Sequence, residues 1–501
     1  MALIKCPKCG SQFSDRAEKC PQCGISKEEA LHLIAEKDAR EAAEIERVRK
    51  ERKAKAAEEE RIRTEKRAVW WKKNRIYIFL VILITICAIA YFPINSYIHT
   101  PKWKLEDGVL TISPRGRIGI EMKDCYQLNE YGSIEITAPW YKHRTEIKSV
   151  IIENGLKNIG AYAFFNCASI TSIKLPNNIT TIGKYAFAYC GNLSDISIPD
   201  SIKEINEGLF FNCKNMYSLA IPNGVVTIEP MAFKGCERLS SVKIPNTVSE
   251  IGEEAFCDCK NIISLVIPDG VDEIKNRTFN GCINLETISM SINITSINSE
   301  AFKECSQLMS IEIPSKVQYI SISAFEDCDR LDTLILNSNY IVNKDYDWRI
   351  KQETIKDYIT PNLSSVIIGD CVTSIGEGAF AWFGRLKSID IPNSVTSIGR
   401  ASFFGCSALT SVTMPSSVTS IGAGAFAWCK DLTSIDIPNG VTCIEGDVFL
   451  GCSSLISLTI SNSVIRIEES AFDMCTSLAL RLPKRFKGKV DVSDCKSVTY
   501  Y

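Results

Sequence analysis

At 501 residues the chain is too long for one ordinary compact core, so it calls for several units or an elongated architecture. A net charge of −2 argues against nucleic-acid binding driven by bulk electrostatics, and three histidines (His32, His99, His143) leave little material for general acid–base catalysis. The 22 cysteines fall into groups that need separate readings.

The first group is "CPKCG" and "CPQCG", which carry Cys6, Cys9, Cys20 and Cys23. Each Cys-x-x-Cys turn aims two thiolates at one point, and four thiolates suit tetrahedral zinc. All four positions are filled, which makes the expected zinc structural rather than catalytic. A redox or disulfide pair and a rubredoxin-like iron site are the rival readings. The stretch resembles the short zinc-ribbon modules at the N-termini of many bacterial membrane proteins. We assign residues 1–26 to this zinc ribbon.

Residues 27–68 are rich in Glu, Lys, Arg and Ala, with no Pro or Gly. Pairs such as Glu36–Arg40, Glu46–Lys50 and Glu59–Arg63 have the favoured i,i+4 order, which predicts a long solvated helix. Apolar positions are too sparse for a coiled coil. A spacer is the plain reading of this charged stalk, and a signalling or oligomerising element the functional one.

Residues 76–92 carry no charge and are long enough to span a bilayer. Arg61, Arg63, Lys66, Arg67, Lys72, Lys73 and Arg75 crowd the N-terminal flank, and only Lys102 and Lys104 follow nearby. The asymmetry predicts a transmembrane helix over 76–93, with the N-terminus in the cytoplasm and the rest extracytoplasmic, at the cell surface or in a periplasm. The cysteine module then sits in a reducing compartment.

The remainder repeats. Phenylalanines stand 23 residues apart from Phe164 through Phe187, Phe210, Phe233, Phe256, Phe279 and Phe302 to Phe325, then resume as Phe380, Phe403, Phe426, Phe449 and Phe472. A fixed period of this length marks a solenoid, in which each unit buries its face only against its neighbours. The apolar pair at spacing two (Ile196 and Ile198) predicts a short strand, ended by Pro199. "SIGAGAF" predicts a turn and a short helical or 3-10 segment on the outer side.

The full pattern, C-x-x-L-x-x-I-x-I-P-x-x-V-x-x-I-G-x-x-A-F, resembles the BspA-like type of leucine-rich repeat. "WKLEDGVLTISPRGRI" is similar to the N-terminal cap that precedes such repeats. The expected fold is therefore a repeat solenoid of short parallel strands with short helical or 3-10 outer segments. It has a cap over 103–149, repeats over 150–482 and a C-terminal cap over 483–501. An irregular insertion over 337–362 interrupts it. The resemblance implies protein binding or adhesion at a bacterial cell envelope.

One cysteine recurs three residues after each Phe, at Cys167, Cys190, Cys213, Cys236, Cys259, Cys282, Cys305, Cys328, Cys406, Cys429, Cys452 and Cys475, whereas Phe383 fills that slot after Phe380. Neither a metal ligand nor half of a disulfide is replaceable by Phe. Rungs about 5 Å apart do not forbid pairing by distance, but a one-per-turn ladder in a tight core favours free thiols acting as small hydrophobes. Cys257, Cys371 and Cys443 lie off the ladder and are expected at the surface. Trp382, Trp428, Tyr189 and Phe383 sit near the outer segment and are expected to pack there partly buried.

The eighth residue after each Phe is almost always Ser or Thr, with Asp195 an exception, and the tenth is mixed: Lys174, Lys243, Glu312, Asp390, Asp436. This inner face shows neither a basic stripe for phosphates nor an aromatic row for bases. It reads as a polar surface for a protein or surface-glycan ligand, with Lys174, Asp195, Lys243, Glu312, Asp390 and Asp436 as candidate contacts. It also reads as an ordinary exposed strand, which Ser and Thr suit. No histidine follows His143, so a Ser–His triad inside the repeats is excluded, and we expect no enzyme. The leading function is a membrane-anchored binding protein with no nucleic-acid partner. The alternative is a transmembrane sensor that passes ectodomain occupancy to a cytoplasmic protein partner of the zinc ribbon.

Overall fold

In the computed structural model the chain divides into two compact units, Met1–Tyr97 and Ile98–Tyr501. The structure describes residues 101–114, 121–342 and 362–501 throughout, with 355 and 359. From the N-terminal hundred it describes 3–7, 12–14, 18–21, 23–29, 31–32, 47, 50, 60–61 and 64–65. The expected membrane span at 76–93 and most of the stalk and insertion lie outside these residues. Among the described residues no helix is long and apolar enough to cross a membrane.

In the first unit, Leu3–Lys5 and Gln12–Ser14 form an antiparallel hairpin. The stalk residues described at 60–61 and 64–65 are helical, and Arg61 pairs with Glu65 at 3.6 Å.

The second unit is a solenoid with two parallel ladders per turn. The first ladder holds the strands at the eighth to tenth positions after each Phe, such as Ser218–Ala220 and Ser241–Lys243, paired as Ser218↔Ser241 and Ala220↔Lys243. The second, shorter ladder holds pairs such as Thr227–Ile228 and Glu250–Ile251. In both, the apolar residue points inward and its neighbours outward, as the period of two requires: Ser218–Ala220 reads exposed, buried, exposed. The sequence reading anticipated the first ladder only. Its two-residue successor is too short to show an alternating pattern.

The outer segments are turns, not the helical or 3-10 pieces expected. The backbone explains why. Residues two before and two after the repeat Phe take left-handed φ values, with Ser323 before Phe325 the exception, as at Tyr185 (φ 53) and Tyr189 (φ 60) or Gly424 (φ 64) and Trp428 (φ 62). Each left-handed residue breaks a 3-10 run and turns its N–H toward the next rung. Tyr185 N–H donates to Glu207 O at 2.9 Å, and Phe187 N–H to Leu209 O at 3.1 Å. Between them run i→i+3 bonds, such as Cys190 N–H to Phe187 O at 3.2 Å. Glycine fits these positions without strain, which accounts for Gly235, Gly281, Gly405 and Gly451 recurring there.

The core is a column of stacked side chains. Successive Phe rings lie with centroids 5.3 Å apart and planes 2° from parallel at Phe302–Phe325, and 5.2 Å and 12° at Phe233–Phe256. Trp140 extends this stack at its N-terminal end, 5.7 Å from Phe164, with its indole N–H donating to Ala163 O at 2.7 Å. An antiparallel hairpin, Lys102–Glu106 with Val109–Ser113, turns at Asp107 and Gly108, both left-handed. Its second strand then pairs in parallel with Ser149–Ile152. The first ladder runs unbroken past the insertion, where Thr333–Leu336 pairs directly with Ser365–Ile368. The short helix Asn339–Val342 buries Ile341 and Val342 there, and Val342 O accepts from Gly376 N–H at 2.9 Å.

Candidate functional site

Two places carry chemistry that the fold alone does not use. The first is the N-terminal cysteine cluster. Gly24 (φ 77) closes a tight turn, its N–H donating to Cys20 O at 2.9 Å, and this folds Cys20 and Cys23 toward Cys6. The thiol sulfurs of Cys6, Cys20 and Cys23 all lie within 4.8 Å of one another, and Cys6 and Cys20 are buried. Cys6 and Cys23 Sγ are 3.5 Å apart, well beyond the ~2.05 Å of a disulfide. Four sulfurs at about 2.3 Å from one zinc stand a little under 4 Å from each other, so these three fit such an ion. Cys9, the fourth expected ligand, lies outside the described residues.

The second place is the outward face of the first ladder. Lys174, Asp195, Lys243, Glu312, Asp390 and Asp436 are all exposed on it. They do not converge on one point but follow one another along the solenoid. Lys174, Lys243, Glu312, Asp390 and Asp436 share one lane, whose register is fixed by pairs such as Ala220↔Lys243, Glu312↔Ile335 and Ile367↔Asp390. Asp195 sits in the adjoining Ser/Thr lane, paired with Ser172. Hydroxyls one position before the strands bind the preceding rung: Thr433 Oγ1 donates to Thr410 O at 3.1 Å, and Thr171 Oγ1 to Lys148 O at 3.1 Å. At the rungs that carry such a hydroxyl, the side chain extends the ladder by one bond.

The turn face behaves differently. Its charges are paired within the molecule across rungs, as in Lys184–Glu207 (2.6 Å), Arg277–Glu300 (2.8 Å) and Lys303–Glu326 (2.9 Å). Trp382 is 60 % exposed, against the expectation of partial burial, whereas Tyr189, 41 % exposed, packs edge-on against Phe211 at 5.2 Å as expected. The left-handed backbone turns these two side chains outward. Phe383 is buried, and Trp428 is half-buried with Lys430 Nζ 5.9 Å from its ring centre.

The repeat cysteines are buried thiols. Each thiol from Cys190 onward donates to the carbonyl of the Phe one rung back, as from Cys190 Sγ to Phe164 O at 3.2 Å and from Cys452 Sγ to Phe426 O at 3.1 Å. Burial pushes the Cys167, Cys236, Cys328, Cys406 and Cys475 thiols up to about 12. The others are raised by the same desolvation. Phe383 occupies the slot fully buried beside Phe380, which is how an apolar packing position accepts a larger ring. Of the off-ladder cysteines, Cys371 is exposed and Cys443 half-buried, but Cys257 is buried at 5 %, contrary to expectation. Cys257 follows Phe256 directly and tucks beneath the turn, where its thiol contacts Asp258 at 3.6 Å.

A groove of about 500 Å³ lies along the second ladder, lined by Glu229, Glu250, Glu253, Glu273 and Lys275 among others. Burial, with Glu250 and Glu204 nearby, raises the Glu229 carboxyl. The lining holds no histidine or cysteine, and Lys275 pairs with Glu250.

Comparison with known proteins gives a consistent family. The family described as "BspA type Leucine rich repeat region (6 copies)" matches residues 134–263, 226–346 and 350–479. No curated protein matches. A leucine-rich repeat protein from Bacteroides ovatus is 21 % identical over 80 % of this chain and 98 % of its own, with a TM-score of 0.39. A leucine rich cell surface protein from Faecalibacterium prausnitzii is 26 % identical over 80 % and 93 %, with a TM-score of 0.27. The pneumococcal vaccine antigen PcpA is 16 % identical over 80 % and 96 %, with a TM-score of 0.28. At these scores the superpositions carry no argument; the repeat match shows the family, since it covers more than half of the sequence. The chain belongs to the BspA-type leucine-rich repeat family.

Proposed function

We propose that the chain is a single-pass membrane protein whose repeat domain, held outside the cytoplasm, binds a protein at the cell envelope. The observation that carries this reading is the first-ladder face: short, exposed, mostly hydroxylic side chains over rung after rung, with single charges set among them. Such a face is shaped for a broad surface and not for a small molecule, which needs a concave pocket. The uncharged stretch at 76–92 and its cationic N-terminal flank support the anchor and its orientation. The test is adhesion of cells displaying the chain to protein-coated surfaces. The wild type is expected to adhere. A variant with Lys174, Lys243, Glu312, Asp390 and Asp436 all changed to Ala is expected to lose that adhesion while keeping its fold, and equal adhesion of the two sinks the reading.

Within this proposal Cys6, Cys9, Cys20 and Cys23 hold a structural zinc, which ties the hairpin to the Cys20–Gly24 turn. The purified full-length chain is then expected to carry about one zinc per molecule, and Cys20→Ser to carry well under half of that. Equal zinc content in the variant contradicts the assignment. The cluster also favours a second reading, a sensor with a cytoplasmic partner. A passive adhesin tolerates deletion of residues 1–68 and a sensor does not.

A further inference from the structure

Along the outward lane of the first ladder the charges are evenly spaced from Lys174 to Asp390, with Asp436 two rungs further on. From Lys174 to Asp390 the lane has ten rungs, and charges occupy the first, fourth, seventh and tenth: Lys174, Lys243, Glu312 and Asp390. The order is two cations, then two anions, each three rungs apart, or about 14 Å at 4.8 Å per rung. Such a row is complementary to itself when reversed.

From this we infer that the face pairs with a second copy of the chain, the two solenoids antiparallel about a twofold axis between the rungs of Val266 and Ser289. A twofold along the strand direction keeps the lane on itself and reverses the rungs. Lys174 then meets Asp390 of the other copy and Lys243 meets Glu312, each contact occurring twice as an isologous interface requires. No like charges meet in this lane or in the neighbouring hydroxyl lane, where Asp195 faces Ser365. Val266, beside the axis, is 66 % exposed, and Ile367, one rung before Asp390, is 36 % exposed.

A second observation separates this face from the rest of the surface. On the turns, lysines and arginines are neutralised by carboxylates of the same molecule. Among the described residues no ion pair of the same molecule involves Lys174, Lys243, Glu312 or Asp390. Glu312 instead accepts from Asn337 Nδ2 at 2.7 Å, which fixes its carboxylate on the face.

Ten rungs of a three-residue strip place the contact at the small end of specific interfaces, so a weak, reversible dimer is expected. Many copies on opposed surfaces strengthen such a contact by avidity. The antiparallel arrangement puts the N-terminal ends of the two solenoids at opposite ends of the dimer. This inference deepens the surface-binding reading and rests on it: with an anchor preceding each solenoid, the pair joins two membranes.

The test is sedimentation of the full-length chain in detergent, up to the upper micromolar range. The wild type is expected to form dimers that high salt weakens. Lys243→Glu and Glu312→Lys each place like charges together twice and are expected to weaken dimerisation roughly tenfold. The double variant restores both pairs and is expected to return to within about threefold of wild type. A monomeric wild type, or single variants that dimerise as well as wild type, overturns the inference. If the wild type in that case still adheres to protein-coated surfaces, only self-pairing falls; if adhesion also fails, the surface-binding reading falls with it.

Discussion

Raising the pH of the reduced protein through about 9 to 10 is expected to unfold the repeat domain within roughly one pH unit. Twelve ladder thiols, from Cys167 to Cys475, are held neutral by burial, which pushes Cys236 and Cys406 up to about 12. An unfolded cysteine ionises near 8.5. The sign follows. A folded value raised above the unfolded one leaves stability intact below about pH 8.5 and removes it as pH climbs toward the folded value. Each thiol contributes a slope of about −1.36 kcal/mol per pH unit, so twelve together give roughly −16. Few folded domains exceed about 15 kcal/mol of stability. The check is circular dichroism against pH under a reductant without oxygen. A protein that stays folded to pH 11 contradicts the neutral-thiol ladder. Replacing Cys259, Cys282 and Cys305 by Ala is expected to shallow the pH dependence by about a quarter while lowering stability at neutral pH.

Phe302→Ala is the second large effect, with an expected loss of about 3–5 kcal/mol. Phe302 is fully buried and stacked between Phe279 at 5.4 Å and Phe325 at 5.3 Å. Removing it opens a cavity in a column where each rung touches only its two neighbours. The damage has no third layer to share it. Rung coupling in a solenoid is pairwise, so unfolding is expected to split into two transitions on either side of rung 302. Urea unfolding followed by tryptophan fluorescence checks this, because Trp140 lies N-terminal to the change and Trp382 and Trp428 lie C-terminal to it. A loss under 1 kcal/mol contradicts the stacked-column account.

The 23-residue spacing of Phe and Cys made the solenoid, its core column and its first ladder readable from residues alone. Burial of one apolar residue per strand imposes that spacing directly. The second ladder was not readable, because two-residue strands show no period. The turns were misread as helical or 3-10 segments. Their left-handed positions carry Tyr, Asp, Glu, Trp and Met as well as Gly, so only the recurrence of Gly235, Gly281, Gly405 and Gly451 at the same offset signals them. Trp140 escaped notice since it lies outside the repeat register, although its ring continues the Phe stack. Cys257 was placed at the surface because it falls off the ladder, yet adjacency to Phe256 draws it under the turn. On the outward face of the first ladder every named residue was legible as outward. Their even spacing in one lane became visible only when the insertion was seen to leave the ladder unbroken between Thr333 and Ser365.

The measurement that bears most directly on a buried-thiol solenoid displayed outside the cell is mass-spectrometric mapping of a membrane-impermeant maleimide on intact cells. The account predicts labelling at exposed Cys371 without lysis, lost in Cys371→Ser, with Cys167 to Cys475 on the ladder reacting only after denaturation. Labelling of Cys371 only after lysis, or ladder cysteines recovered as disulfides, contradicts it.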